Sequence, residues 1–208
     1  MINKRWGALA VDENVLYPRA YSFLERFFPE LVSFQELLMH SVRTAKYAFQ
    51  LSCFLGLGDP QLLFWAGALH DVGKLMVPRH ILENPGPLLE NQWKIMMQHP
   101  LWSFKLVETR CRGTRCLKGI LVAIKAHHEA WDGTGYPAGL KGSDIPLEAR
   151  ILALADVFDA LTSPRPYRPP LSLGEARKVM TEMVGKKLDP YLFQKAHISL
   201  LSFKEEKG

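Results

Sequence analysis

Nowhere in these 208 residues does an apolar run last the ~18 to 20 residues that a helix needs to cross a bilayer. The basic start MINKRWGALAVDEN also falls short of a signal peptide, because Asp12 and Glu13 end its apolar part too early. Cysteine is scarce. Cys53, Cys111 and Cys116 are too few, and odd in number, for a disulfide framework. Cys111 and Cys116 in TRCRGTRC read either as half of a zinc site without a second pair or as reduced thiols of a cytoplasmic protein. Internal repeats, low-complexity tracts and sustained period-two alternation are all missing, which argues against solenoids, disordered chains and sheet-rich folds. The basic surplus is small, 26 Lys and Arg against 21 Asp and Glu, for a formal charge of +5. That is little for wrapping a long nucleic acid, yet it suits a small anionic ligand.

What is present is helical periodicity broken by strong punctuation. Ser33-Phe-Gln-Glu36 has the spacing of a capping box and predicts a helix from there to about Gly56. Asp59-Pro60 supplies an N-cap and a first-turn proline for QLLFWAGALHD, with Gly73 interrupting just beyond the His-Asp pair. A short helix is expected to end near His99-Pro100, and another to cover residues 101 to 109. Thr114 caps the helix carrying ILVAIKAHHE, and a loop from about Trp131 to Ile145 leads to a helix opened by Pro146. Ser172 with Glu175 repeats the capping box, and Asp189-Pro190 repeats the Asp-Pro start. The expectation is an all-α fold, a helical bundle of roughly eight helices. Residues 1–32 read as a short N-terminal helical extension and 33–208 as the main domain.

Imidazoles and carboxylates recur at marked places in this pattern. Glu36 and His40 lie four apart on one helix face. His70 and Asp71 are adjacent, Lys74 follows, and His99 precedes a proline. His127, His128 and Glu129 run straight into WDGTGYP, and Asp156 interrupts the apolar run LALADVF. Imidazole and carboxylate ligands without thiolates suit Fe, Mn, Co, Ni or Zn in five- or six-coordinate sites. Two such ions, bridged by an aspartate about 3.5 to 4 Å apart, can hold a hydroxide and clamp both oxygens of an in-line phosphoryl displacement.

The order of these motifs also resembles a known family. HDVGK (70–74), the HP step (99–100), HHEAWDGTGYPAGLKGSDIPLEARI (127–151) and ADVFDALTSPRPYRPPLS (155–172) are similar to the HD-GYP family, a branch of the HD-domain metal-dependent phosphohydrolases. The likeness runs over about residues 33 to 195. It implies an HD-domain bundle with a GYP loop, acting as a bacterial phosphodiesterase on the second messenger cyclic di-GMP. A metal-bridging hydroxide would release pGpG, GMP or both. The resemblance assigns His40, His70, Asp71 and Asp156 to one metal, and His99, His127 and His128 to a second, with Asp71 bridging. Glu36 matches an acidic position of members that hold three metals. Iron is the first expectation and manganese the next. Lys74 and Asp71 would act at the scissile phosphate, while Tyr136, Arg165 and Arg168 would contact the dinucleotide.

Plainer readings stand beside these. Asp156 alone fits a polar surface position, and Lys74 alone a solvated lysine near a helix end. Glu36 also fits the N3 residue of the Ser33 box, although its spacing from His40 favours a ligand on the same face. Glu129 reads as a partner that orders an imidazole or as a structural salt bridge. The basic run RCRGTRCLK, residues 110 to 118, steers an anion, docks a signalling partner or is simply solvated. His80 and His197 lie outside the pattern. Ser103 and Asn84 depart from it, standing where a glycine and a lysine are common. Two further functions stay open: hydrolysis of another cyclic nucleotide, and a non-catalytic module that binds cyclic di-GMP or a partner.

Overall fold

The computed structural model describes residues 13–112, 117–164 and 169–202. Its order is α1 (Glu13–Phe27), α2 (Gln35–Leu55), α3 (Pro60–Leu69), α4 (Arg79–Leu82), α5 (Glu90–Met96), α6 (His99–Arg110), α7 (Leu117–Ala126), α8 (Leu147–Thr162), α9 (Leu173–Met183) and α10 (Pro190–Ser202). Short 3-10 turns cover Pro29–Ser33, Val72–Met76 and Gly142–Asp144. Among the described residues the only strand-like pairing is an isolated bridge between Val184 and Leu188, so the fold is all-α as expected. No described helix is long and apolar enough to cross a membrane.

Three of the expected starts form through the expected hydrogen bonds. The Asp59 carboxylate accepts from the amides of Gln61 and Leu62 at the head of α3. Ser172 and Glu175 close a reciprocal box on α9, and Asp189 accepts from Tyr191 and Leu192 on α10. Each satisfies amides that have no partner inside the helix.

The Ser33 box does not form. Ser33 ends the preceding 3-10 turn, and α2 begins after Phe34 with no side-chain cap. The turn has already used the geometry that a capping serine needs, which leaves Glu36 exposed in the first turn of α2. The HP step also behaves differently from expectation. His99-Pro100 opens α6 rather than closing a helix, because proline in a first turn loses no hydrogen bond. Thr114 and Cys116 lie outside the described residues.

The buried helix α2 is the spine, packed against α3 on one side and α8 on another. A Cβ added at Gly67 would sit 2.6 Å from the Ala45 Cα, so the α2 and α3 backbones nearly touch. That close approach brings the end of α3 beside the middle of α2. From α8, Ile151, Leu152, Leu154, Ala155 and Phe158 fill the centre, and Phe158 meets the Tyr47 ring edge-on at 5.0 Å. The N-terminal helix is part of this body: Ala20, Leu24 and Phe28 are fully buried. Gly73 sits against the first turns of α6, where a Cβ would lie 2.2 Å from the His99 carbonyl oxygen. Its N–H donates to the Ser103 hydroxyl at 2.8 Å, so the serine that departs from the family pattern has a definite structural use.

Candidate metal centre

Helix ends deliver most of the pocket. His70 and Asp71 follow α3, His99 opens α6, His127 and His128 follow α7, while His40 and Asp156 project from within α2 and α8. The side chains converge as two groups that share one residue. Asp71, His99, His127 and His128 offer ligand atoms within 4.8 Å of one another, and so do His40, His70 and Asp71. Asp71 stands between them: its Oδ2 is 3.5 Å from His40 Nε2 and 3.4 Å from His70 Nε2, and its Oδ1 is 3.2 Å from His99 Nε2. Asp156 Oδ1 joins the first group, 3.2 Å from His40 Nε2 and 3.8 Å from His70 Nε2. With only 14% of its side chain exposed, Asp156 is no surface residue.

The rings are held from behind. His70, His99 and His127 each donate Nδ1–H to a carbonyl three residues earlier, those of Gly67, Met96 and Ile124, at 2.7, 2.8 and 2.6 Å. That fixes the tautomer in which Nε2 presents a lone pair to the pocket. His40 achieves the same with a carboxylate, its Nδ1 lying 2.7 Å from Asp159 Oδ2.

The local electrostatics agree with this arrangement. Burial opposes ionisation of Asp71, but His70 and Lys74 outweigh it and hold the carboxyl well below the usual range. Asp156 is likewise held down, against its burial, chiefly by His40. Burial, reinforced by the charges of His70 and His99, pushes His127 down to about 3. Burial beside His127 and His99 puts His128 well below its ordinary value. Two carboxylates stay charged and two imidazoles stay neutral, which is the state a metal requires.

Two buried polar atoms, His70 Nε2 and Asp71 Oδ1, make no hydrogen bond. An orphaned nitrogen and oxygen on adjacent buried side chains are costly unless something satisfies them. Divalent cations would do so, and the mixed nitrogen and oxygen donors fit them. Lys74 reaches in from the rim, its Nζ 2.6 Å from Asp71 Oδ2 with 21% of the side chain exposed.

The loop after His128 forms one wall. The Tyr136 ring stacks on His128 at 4.9 Å and 27°, and Trp93 meets Tyr136 edge-on at 6.3 Å. Burial and the charges of Asp71 and Asp156 raise the Tyr136 hydroxyl's pKa, so it remains a donor. In this loop Gly133 adopts a φ of 86°, which glycine takes without strain. Gly135 serves a different need: a Cβ there would lie 2.2 Å from the Ala130 nitrogen. Glu129 is the clamp. Its buried carboxylate accepts from Ala138 N at 2.7 Å and Leu140 N at 2.9 Å, which replaces both earlier readings of this residue.

Glu36, exposed, belongs to neither ligand group. Arg165 and Arg168 lie outside the described residues. His80 is exposed. Of the basic run, Arg110 pairs with Glu30 at 2.9 Å and the Phe27 carbonyl at 3.1 Å, tying α6 to the segment after α1. Sequence reading missed Asp159, which is fully buried and bonded to His40, Arg43 and Ser163. The signal available was its i+3 spacing from Asp156 on one helix.

A family model described as "HD domain" matches residues 30–192. The chain belongs to the HD-domain family. The chain is 39% identical over 165 residues to a cyclic di-GMP phosphodiesterase of Vibrio cholerae, a match covering 73% of this chain and 33% of that protein. It is 38% identical over 158 residues to a 3'3'-cGAMP-specific phosphodiesterase of the same organism, covering 74% of this chain and 30% of that one. This HD-domain chain therefore spans about a third of the curated relatives it matches. Among solved structures, an HDG"Y"P protein from Bdellovibrio bacteriovorus superposes with a TM-score of 0.63, covering 90% of this chain and 63% of that one. At 22% identity that likeness speaks for the fold alone.

Proposed function

We propose that this HD-domain chain hydrolyses the phosphodiester of a cyclic dinucleotide, with cyclic di-GMP as the first substrate to test. The observation that carries the reading is Asp71, whose two oxygens face two separate groups of imidazoles. Two divalent ions, iron first and manganese next, with Ni, Co or Zn as alternatives, would supply Lewis acidity and activated water. Neutral imidazoles leave only Asp71 and Asp156 to offset those ions, so the loaded site keeps positive charge for an anionic phosphodiester. His40, His70, Asp71 and Asp156 would hold one ion, and His99, His127 and His128 the other, with Asp71 shared.

Lys74 would move its ammonium group from Asp71 to a phosphate oxygen once the carboxylate is engaged, and Tyr136 would donate its hydroxyl from the opposite wall. Arg165 and Arg168 would add the planar cationic forks that suit phosphate oxygens. Glu36 is one turn from His40 and would need to turn inward to take part in a third site. The family match over residues 30–192 supports a catalytic domain that starts near residue 33, read as 33–208, with 1–32 as an extension whose Ala20, Leu24 and Phe28 join its core, and the reading places the chain in the cytoplasm, with a signalling partner to be found.

A second substrate has a specific observation behind it: the 3'3'-cGAMP-specific relative is as similar as the cyclic di-GMP one. The test is a panel of cyclic di-GMP, 3'3'-cGAMP and cyclic di-AMP, incubated with metal-loaded protein and resolved by chromatography. Linear dinucleotide or mononucleotide from cyclic di-GMP supports the reading. Turnover of 3'3'-cGAMP alone would move the substrate, and turnover of none would remove the activity.

A further inference from the structure

His40 differs from the other imidazoles in what holds it. Behind His70, His99 and His127 stands a neutral carbonyl of the same chain segment. Behind His40 stands Asp159, at 2.7 Å, brought from α8 across the α2–α8 contact. The Thr44 hydroxyl is a more distant neighbour of the same nitrogen, at 3.5 Å. The Asp159 carboxylate is itself fixed: Oδ1 accepts from Arg43 Nε at 2.6 Å and Ser163 Oγ at 2.8 Å, and Oδ2 accepts from Arg43 Nη2 at 3.1 Å. Asp159 is fully buried, and Arg43, one turn from His40 on α2, is 17% exposed.

We infer that Asp159, clamped by Arg43, is a positioning residue for the metal ion on the His40 side and not for the ion on the His128 side. An ionised carboxylate only accepts, so His40 Nδ1 carries a proton, and in the neutral ring that a metal takes Nε2 is left with the lone pair facing Asp71 and Asp156. A charged partner also makes the ring a stronger donor to a metal than a carbonyl partner does. The inference rests on the two-metal reading above and adds that the two positions depend on different supports.

Asp159→Asn breaks this while nearly preserving shape. An asparagine NH2 cannot accept from Arg43 or from His40. Arg43 Nε makes the closest contact, so the amide oxygen is expected to stay there and the NH2 to turn toward His40 Nδ1. That imposes the tautomer whose proton sits on Nε2, where it blocks a metal. Asp159→Glu restores an anionic acceptor.

The experiment is titration of the metal-stripped full chain with Mn2+ alone, against a competing chelator, with circular dichroism to confirm folding. For Asp159→Asn we expect one ion bound as in the parent and one weakened by about 10- to 100-fold, the range for removing a residue that supports a ligand. Asp159→Glu should recover most of that loss. In a His128→Gln background, where the remaining ion sits on the His40 side, adding Asp159→Asn should weaken that ion by a similar factor. Should Asp159→Asn fail to fold, Arg43→Gln decides, with an expected severalfold weakening of the same single ion. Two ions at parental affinity in these variants would overturn the inference and leave the proposed function standing. Loss of both ions from a folded Asp159→Asn chain would overturn its selectivity. A parent chain that binds no Mn2+ would instead overturn the metal reading itself.

Discussion

His40 and His127 lie on opposite sides of Asp71, and both are buried, yet their acid–base behaviour is opposite. His40 is pulled down by burial, but hydrogen bonds that it donates to the carboxylates of Asp156 and Asp159 outweigh this and raise its pKa. His127 has burial and neighbouring imidazoles acting together, and it falls to about 3. The difference teaches that burial alone does not decide the charge of a buried histidine; the sign of its neighbours does. One half of the pocket is rich in carboxylate, braced across two helices. The other is rich in imidazole, braced by local backbone and a clamped loop.

Removing what the halves share should have the largest effect. Asp71→Ala is expected to abolish binding of both ions and reduce turnover to background, measured by mass-spectrometric metal counting and a nucleotide assay on one sample. Retention of one ion would break the view of Asp71 as the joint ligand. Removing one half comes next. His128→Gln should lose a single ion while the His40 side keeps its own, read by the same metal count.

The stability of metal-free protein against pH separates the halves without any ion. The unfolded chain protonates its histidines below about 6.5. Native His127 and His128 do not, so the unfolded state binds more protons and stability falls as pH drops from about 7 toward 4. His40 has the opposite sign: its contribution is present below about 6.5 and is lost as pH rises through its raised pKa. Replacing His128 by Gln should flatten the acid slope of the thermal midpoint, whereas replacing His40 by Gln should leave that slope and instead remove a loss of stability as pH rises above about 6.5. Parallel slopes would contradict the comparison.

Two smaller effects test the braces. Glu129→Gln exchanges one acceptor for a donor facing a backbone amide, and should cost about 1 to 3 kcal/mol, with faster hydrogen exchange at Ala138 and Leu140. Ser103→Gly removes the partner of Gly73 N–H and should cost about 1 kcal/mol, seen as a modest fall in thermal midpoint.

The helical class, three helix starts and the residues that gather around Asp71 were all legible in the sequence. Asp-Pro pairs and the Ser172 box are local signals whose geometry follows from a few neighbouring residues. Ser33 shows the limit of such signals. It has the right spacing, but the preceding residues Pro29–Ser33 form their own turn, so the box has nothing to cap. The HP step misled for a related reason, since proline closes one helix and opens another equally well, and only the chain before it decides.

Asp159 and Glu129 were harder to read because their roles depend on what folding brings to them. Nothing near Asp159 in sequence announces His40, 119 positions away. Glu129 looked like part of the histidine motif, while its carboxylate turns away to hold the loop that follows. Residues that bind ligands leave a compositional trace; those that position them leave much less.

The most direct measurement is to purify the chain without oxygen, count its metals by mass spectrometry and, on the same sample, follow cyclic di-GMP by chromatography. The account predicts two or more ions per chain and conversion to pGpG or GMP, both lost together in Asp71→Ala. A metal-loaded chain that leaves every cyclic dinucleotide intact, or an Asp71→Ala chain that still turns over, would contradict it.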